Sequence, residues 1–195
     1  MRRSIPTVTM LALLFACGEA GTDEEAATYD TVGMAADTVA PAAPGDSARA
    51  DVRDADGRSV GTVVVVGLDG GVTLSGSLAG LPPGEHGFHV HQTGSCEPPS
   101  FSSAGGHLAP AGNAHGFDAE GGPHAGDLRN LTAGPDSSAV VDQTNERLTL
   151  RGGDAPLLDA DGSALIVHAG ADDYVSQPSG DSGVPIACGV IEGRP

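Results

Sequence analysis

The sequence predicts an all-β domain, and three observations carry that reading. A count of 30 Gly and 14 Pro in 195 residues implies many turns and long loops. Four Phe, two Tyr and no Trp leave a core to be built from Val, Leu, Ile and Ala. From Ala48 onward short apolar runs alternate with turn signals, and no stretch has a helical period. A hydrophobic fraction of 39% is enough for one core without being membrane-like.

In chain order, residues 1–17 read as a bacterial lipoprotein signal. Arg2 and Arg3 form a charged start, Val8 to Phe15 an apolar stretch too short to span a bilayer, and Leu14-Phe15-Ala16-Cys17 its end. Cys17 is then the expected site of lipidation; an ordinary secretory signal with an incidental cysteine is the alternative. Residue 18 is Gly and not Asp, which in a Gram-negative host looks like outer-membrane sorting. The expected location is therefore the cell envelope, lipid-anchored, on the periplasmic side in such a host. Residues 18–47 are acidic and small-residue-rich without a sustained apolar period, as a disordered tether would be. A flexible chain of that length would hold a domain roughly 30 Å off the membrane. With Cys17 lipidated, Cys96 and Cys188 remain in a compartment where disulfides persist and are expected to pair; two buried free thiols are the alternative.

The folded domain is expected over residues 48–192. After a first strand from Ala48, Asp54-Ala55-Asp56-Gly57 turns into a strand from Val60 to Leu68, and Asp69-Gly70-Gly71 turns into one with Val72, Leu74 and Leu78 on one face. Leu81-Pro82-Pro83-Gly84 breaks the chain before a strand from Gly87 to His91. Ser138 to Asp142, Arg147 to Leu150, Ala164 to His168 and Ala187 to Ile191 complete eight strands of an antiparallel sandwich or barrel. Asp54 to Gly57 and Asp159 to Gly162 begin like calcium loops, but each lacks the third acidic position and the closing Glu, so they are turns.

All nine basic residues are Arg and the net charge is −17, which excludes nucleic acid as a partner. An anionic substrate would need a local positive centre, such as a metal. Six of the seven histidines fall between His86 and His124, and Asp127 closes the run. His89 and His91, two apart on a strand, project from one face. His107, His115 and His124 follow at spacings of eight and nine, with Asp127 three further on, among glycines that let a loop fold around an ion. Three histidines and a carboxylate make a closed tetrahedral site for zinc, and three or four imidazoles with an open side suit copper. With His86 set aside, the remaining histidines are too few for two four-ligand ions unless one is shared. His107, between the groups in sequence, is the natural bridge.

These motifs, in their order, are His86-Gly-Phe-His-Val-His91, Cys96, Gly105-Gly-His107, His124-Ala-Gly-Asp127, Leu165-Ile-Val-His168 with Asp172-Asp173, and Ala187-Cys188-Gly189. From about residue 48 to 192 the chain resembles a copper/zinc superoxide dismutase of the bacterial exported type. The resemblance implies a Greek-key β-barrel with two long loops forming the metal site. It implies copper on His89, His91, His107 and His168, and zinc on His107, His115, His124 and Asp127. It further implies that Asp172 ties a copper histidine to a zinc histidine, and that His86 is a buried imidazole bonded to backbone. The implied activity is dismutation of superoxide to dioxygen and peroxide, with His107 as bridge and proton donor.

One position departs from the family: Pro185 stands where an Arg usually lies near the active-site mouth, and Leu157 to Glu192 contains no Arg or Lys. That departure supports a rival reading, a non-catalytic envelope lipoprotein that buffers copper and zinc.

Overall fold

The structure, a computed structural model, describes residues 47–194. The leader, Cys17 and all but the last residue of the tether lie outside the described residues. Ser47, placed in the tether by sequence, opens the first strand.

Strands β1 (Ser47–Asp54), β2 (Ser59–Leu68) and β3 (Gly71–Ala79) form an antiparallel meander. Alternation along β1 buries Ala48, Ala50 and Val52 and turns Arg49 and Asp51 outward. Opposite Val52 and Arg53 the register slips past Val60. That extra residue lets Val60 face the core as well as Val63 and Val65. On β3, Val72, Leu74 and Leu78 fill the core face. Gly76 falls between them because a Cβ there would lie 2.2 Å from the Thr62 carbonyl oxygen.

The remaining strands are β4 (Gly84–His86), β5 (Phe88–His91), β6 (Leu131–Ala133), β7 (Ser138–Asn145), β8 (Ala164–His168) and β9 (Pro185–Gly193). Seven pair in the order β5-β8-β9-β1-β2-β3-β7, and β4 pairs with β6, all antiparallel. The chain leaves β3 for the far edge at β5, returns to place β7 against β3, and crosses again to β8, as a Greek key does. Since β4 and β5 are successive, the small sheet continues the large one through Gly87 and the whole curls into a half-barrel.

The strand inventory differs from the sequence expectation in two places. Arg147 to Leu150 is not a strand: the chain turns at Gly152 and Gly153, both at positive φ, and bonds to its own continuation. Thr149 N–H donates to the Ala155 carbonyl and Leu157 N–H to that of Thr149, which buries Leu148 and Leu157 without recruiting a sheet. Strands β4 and β6, three residues each, are too short to show a period.

Strand β5 is buried on both faces because it separates two environments. Phe88 and Val90 point into the main core with Leu165 and Val167 of β8. On the other face His89 and His91 lie beside Ile166 and Ala164, which pack against Phe101, Ala104 and Cys188. Cys96 and Cys188 are joined, with Cα atoms 5.7 Å apart, so the segment 92–130 is fastened to β9 near its start.

Candidate metal centre

The segment 92–130 returns along β5 and lays its own histidines over those of the strand. Gln92 N–H donates to the Gly106 carbonyl at 3.0 Å, Leu108 N–H to that of Val90 at 2.9 Å, and Val90 N–H to that of Gly126 at 2.8 Å. This backbone pairing sets His107 opposite His91 and Asp127 opposite His89. A Cβ on Gly126 would come within 2.3 Å of the Val90 oxygen, so this approach requires glycine.

His89, His91, His107 and His168 form the first group, all buried, with donor atoms within 4.8 Å of one another. In each ring one nitrogen is buried without a hydrogen-bond partner: Nδ1 of His89 and Nε2 of the other three. Four such nitrogens converging on one point are costly unless a cation takes them. The opposite nitrogens of three rings are fixed. His89 Nε2 meets Asp172 Oδ2 at 2.8 Å, His91 Nδ1 donates to the Gly105 carbonyl at 2.8 Å, and His168 Nδ1 to that of Gly183 at 2.9 Å.

The second group is His107, His115, His124 and Asp127, buried except for His124, whose side chain is 12% exposed. Asp127 Oδ1 lies 2.8 Å from His107 Nδ1, 3.1 Å from His115 Nδ1 and 3.3 Å from His124 Nδ1, and the His107 and His124 Nδ1 atoms are 3.4 Å apart. A tetrahedral ion with bonds of about 2.0–2.1 Å needs donors about 3.3 Å apart, so the set fits zinc. Asp127 Oδ2 accepts the N–H groups of Gly116 at 2.8 Å and His124 at 3.0 Å. His107 thus turns Nε2 into one group and Nδ1 into the other.

Burial dominates the titration of the first group and lowers His89 and His91 to about 3, so both rings are neutral, as ligands must be. Burial also lowers His168 and His124. His115 differs. Burial opposes its charge, but hydrogen bonds to Asp127 and Asp172 raise it to about 9. The same contacts, against burial, hold both carboxyls well below the usual range.

Three residues that build this site carried no signal in the sequence. Asn130 Nδ2 donates to the Asp172 carbonyl and its Oδ1 accepts the Asp172 N–H, both at 2.9 Å. Gln177 does the same for His115, at 2.8 Å each way. Gly180, at φ +71, stands where a Cβ would collide with Asp172 Oδ1 at 1.8 Å. His86 lies outside both groups, with its nitrogens on the carbonyls of His168 and Pro82.

A cleft lined by His91, His107, His124, His168, Ser179 and Pro185 reaches the first group, with no arginine among the described residues on its walls. Arg129 and Arg147 line a different depression, beside Phe117.

Fold and site together define a half-barrel metalloprotein with two histidine-rich sites sharing one imidazole. The family model for copper/zinc superoxide dismutase (SODC) matches residues 59–191. The Cu-Zn superoxide dismutase of Caulobacter vibrioides is 42% identical over 149 residues, 75% of this chain and 86% of that one. Superoxide dismutase [Cu-Zn] 2 of Aquifex aeolicus is 40% identical over 146 residues, 74% of this chain and 85% of that one. A crystal structure of a SOD-like protein from Bacillus subtilis superposes with a TM-score of 0.68 at 39% identity, covering 73% of this chain and 96% of that one. The chain belongs to the copper/zinc superoxide dismutase family, an oxidoreductase family whose cofactors are copper and zinc.

Proposed function

We propose that this chain dismutates superoxide at the cell envelope, with copper held by His89, His91, His107 and His168 and zinc by His107, His115, His124 and Asp127. The observation that carries the reading is His107, whose two nitrogens face the two donor groups. Copper would supply the alternating one-electron chemistry, and zinc a fixed positive charge on the far side of the shared ring. His107 is the proton donor: with Nδ1 held in the Asp127 group, Nε2 takes and releases the proton on the side where substrate arrives. Asp172 keeps His89 and His115 in fixed orientation from outside the donor sets. With copper bound, the free nitrogens of His89 and His91 would be taken by the ion, so neither ring would compete for that proton.

The location rests on Arg2-Arg3, the apolar stretch to Phe15 and Cys17. Lipid on Cys17 would hold the domain at the membrane, and Cys17→Ser would move the protein from the membrane to the soluble fraction. The metal-buffer reading draws on the cleft without arginine. Metal analysis together with a superoxide-decay assay separates the two: about one copper and one zinc per chain with rapid decay supports catalysis, and the same metals without decay supports the buffer.

A further inference from the structure

Tyr174 has φ +63, a left-handed conformation that a bulky side chain adopts only where its surroundings impose it. Its N–H donates to Asp172 Oδ1 at 2.6 Å, its carbonyl accepts the Asp118 N–H at 3.1 Å, and its phenol oxygen accepts the Asn130 N–H at 2.9 Å. Its ring meets Phe117 edge to face, with centroids 5.6 Å apart. Over both rings lies Arg129, whose guanidinium carbon is 3.9 Å from the Phe117 centroid and 5.2 Å from that of Tyr174. In a chain of net charge −17 this guanidinium pairs with no carboxylate among the described residues. It is held instead by aromatic faces.

The spacing gives the cluster its meaning. Phe117 comes two residues after His115, Arg129 two after Asp127, and Tyr174 two after Asp172. Each member therefore restrains the backbone beside one part of the second donor group or its support. Gly116, between His115 and Phe117, allows the closure: a Cβ there would lie 1.9 Å from the Tyr174 oxygen.

We propose that Phe117, Arg129 and Tyr174 form a clasp that sets the rate at which zinc leaves the second group. The clasp rests on the assignment of that group to zinc. Among the described residues its members hydrogen-bond to neither donor set and act as positioning residues, by keeping His115, Asp127 and Asp172 from swinging apart.

The test uses the full chain loaded with zinc and an excess of a chromogenic pyridylazo chelator. A cation–π contact of this kind is worth about 2- to 5-fold, so Arg129→Met and Phe117→Leu should each speed zinc release by about that factor. The double variant should speed release by less than the product of the two single effects, because Arg129→Met and Phe117→Leu share the contact between them. Phe117→Tyr, which keeps the aromatic face, should release zinc at the wild-type rate, and the metal-free variants should stay folded, their unfolding midpoints lowered by no more than the loss of these contacts. Release at the wild-type rate from both single variants would overturn the clasp, as would release from Phe117→Tyr as fast as from Phe117→Leu. Asp127→Ala separates the two layers of the claim. Full zinc stoichiometry in that variant would overturn the ligand assignment and the clasp with it, whereas its loss beside unchanged release in the clasp variants would overturn the clasp alone.

Discussion

Asp172 Oδ1 lies 3.0 Å from His115 Nε2, on the side of the ring opposite the nitrogen that faces Asp127. The ring is thereby held between two carboxylates, and Asp172 reaches His89 with its other oxygen. Asp172→Asn keeps the shape but loses the charge and one acceptor. It should leave the barrel folded and weaken zinc binding about 10–100-fold, the usual range for such supports. Asp127→Asn should be harsher. Chelator competition gives the order, and equal affinities for Asp172→Asn and wild type would remove the supporting role.

Stability of the metal-free protein should peak near neutral pH. His89 and His91, near 3 in the fold against about 6.5 when unfolded, are more readily protonated in the unfolded chain. Their contribution is lost as pH falls from 6.5 toward 3. His115, raised to about 9, contributes fully below pH 6.5 and loses that contribution as pH rises through 9. Urea midpoints from pH 4 to 10 should therefore fall on both sides, with the alkaline fall absent in His115→Gln. A flat wild-type profile between pH 7 and 10 would refute the role given to His115.

Reduction of Cys96–Cys188 should lower the unfolding midpoint. The bond closes 92 residues, worth roughly 4–5 kcal/mol in the chain-entropy model. It also fastens the segment that carries the Gly105 carbonyl, the acceptor for His91. Coincident denaturation curves with and without reductant, with free thiols confirmed by titration, would remove both contributions.

Pro185 should make this enzyme slower than relatives that carry arginine at the mouth. A guanidinium about 6 Å from a bound anion is worth roughly 3 kcal/mol at an effective dielectric of 20, and solvent at an open cleft reduces that to about 1–2 kcal/mol. Electrostatic steering is an established property of superoxide dismutases; the inference is its weakening here. Pro185→Arg should raise kcat/KM about tenfold and give a rate that falls with ionic strength, whereas the wild-type rate should stay flat or rise. A wild-type rate that already falls steeply with salt would assign the steering to another group.

Much of the centre was legible because its parts are local patterns. His89 and His91 show a strand's period of two, and Asp127 follows His124 within one turn of loop. Asn130, Gln177 and Gly180 were not legible, since their partners are backbone groups or side chains of residues 42 or more positions away, or, for Gly180, a steric limit seen only once Asp172 is in place. The expected strand at Arg147 to Leu150 failed for the opposite reason. Leu148 and Leu150 do alternate inward, but a local turn at Gly152-Gly153 satisfies their backbone without a neighbour.

His107 joins donor groups that close at different points along the chain. The group around Asp127 is complete within residues 107–127, whereas the other waits for His168 on a strand that also needs β9 beside it. A chain delivered amino terminus first therefore holds all four donors of the proposed zinc group before His168 arrives, but Asp172 and Gln177, which fix His115, follow His168, so both groups become rigid together once the carboxy-terminal strands are in place.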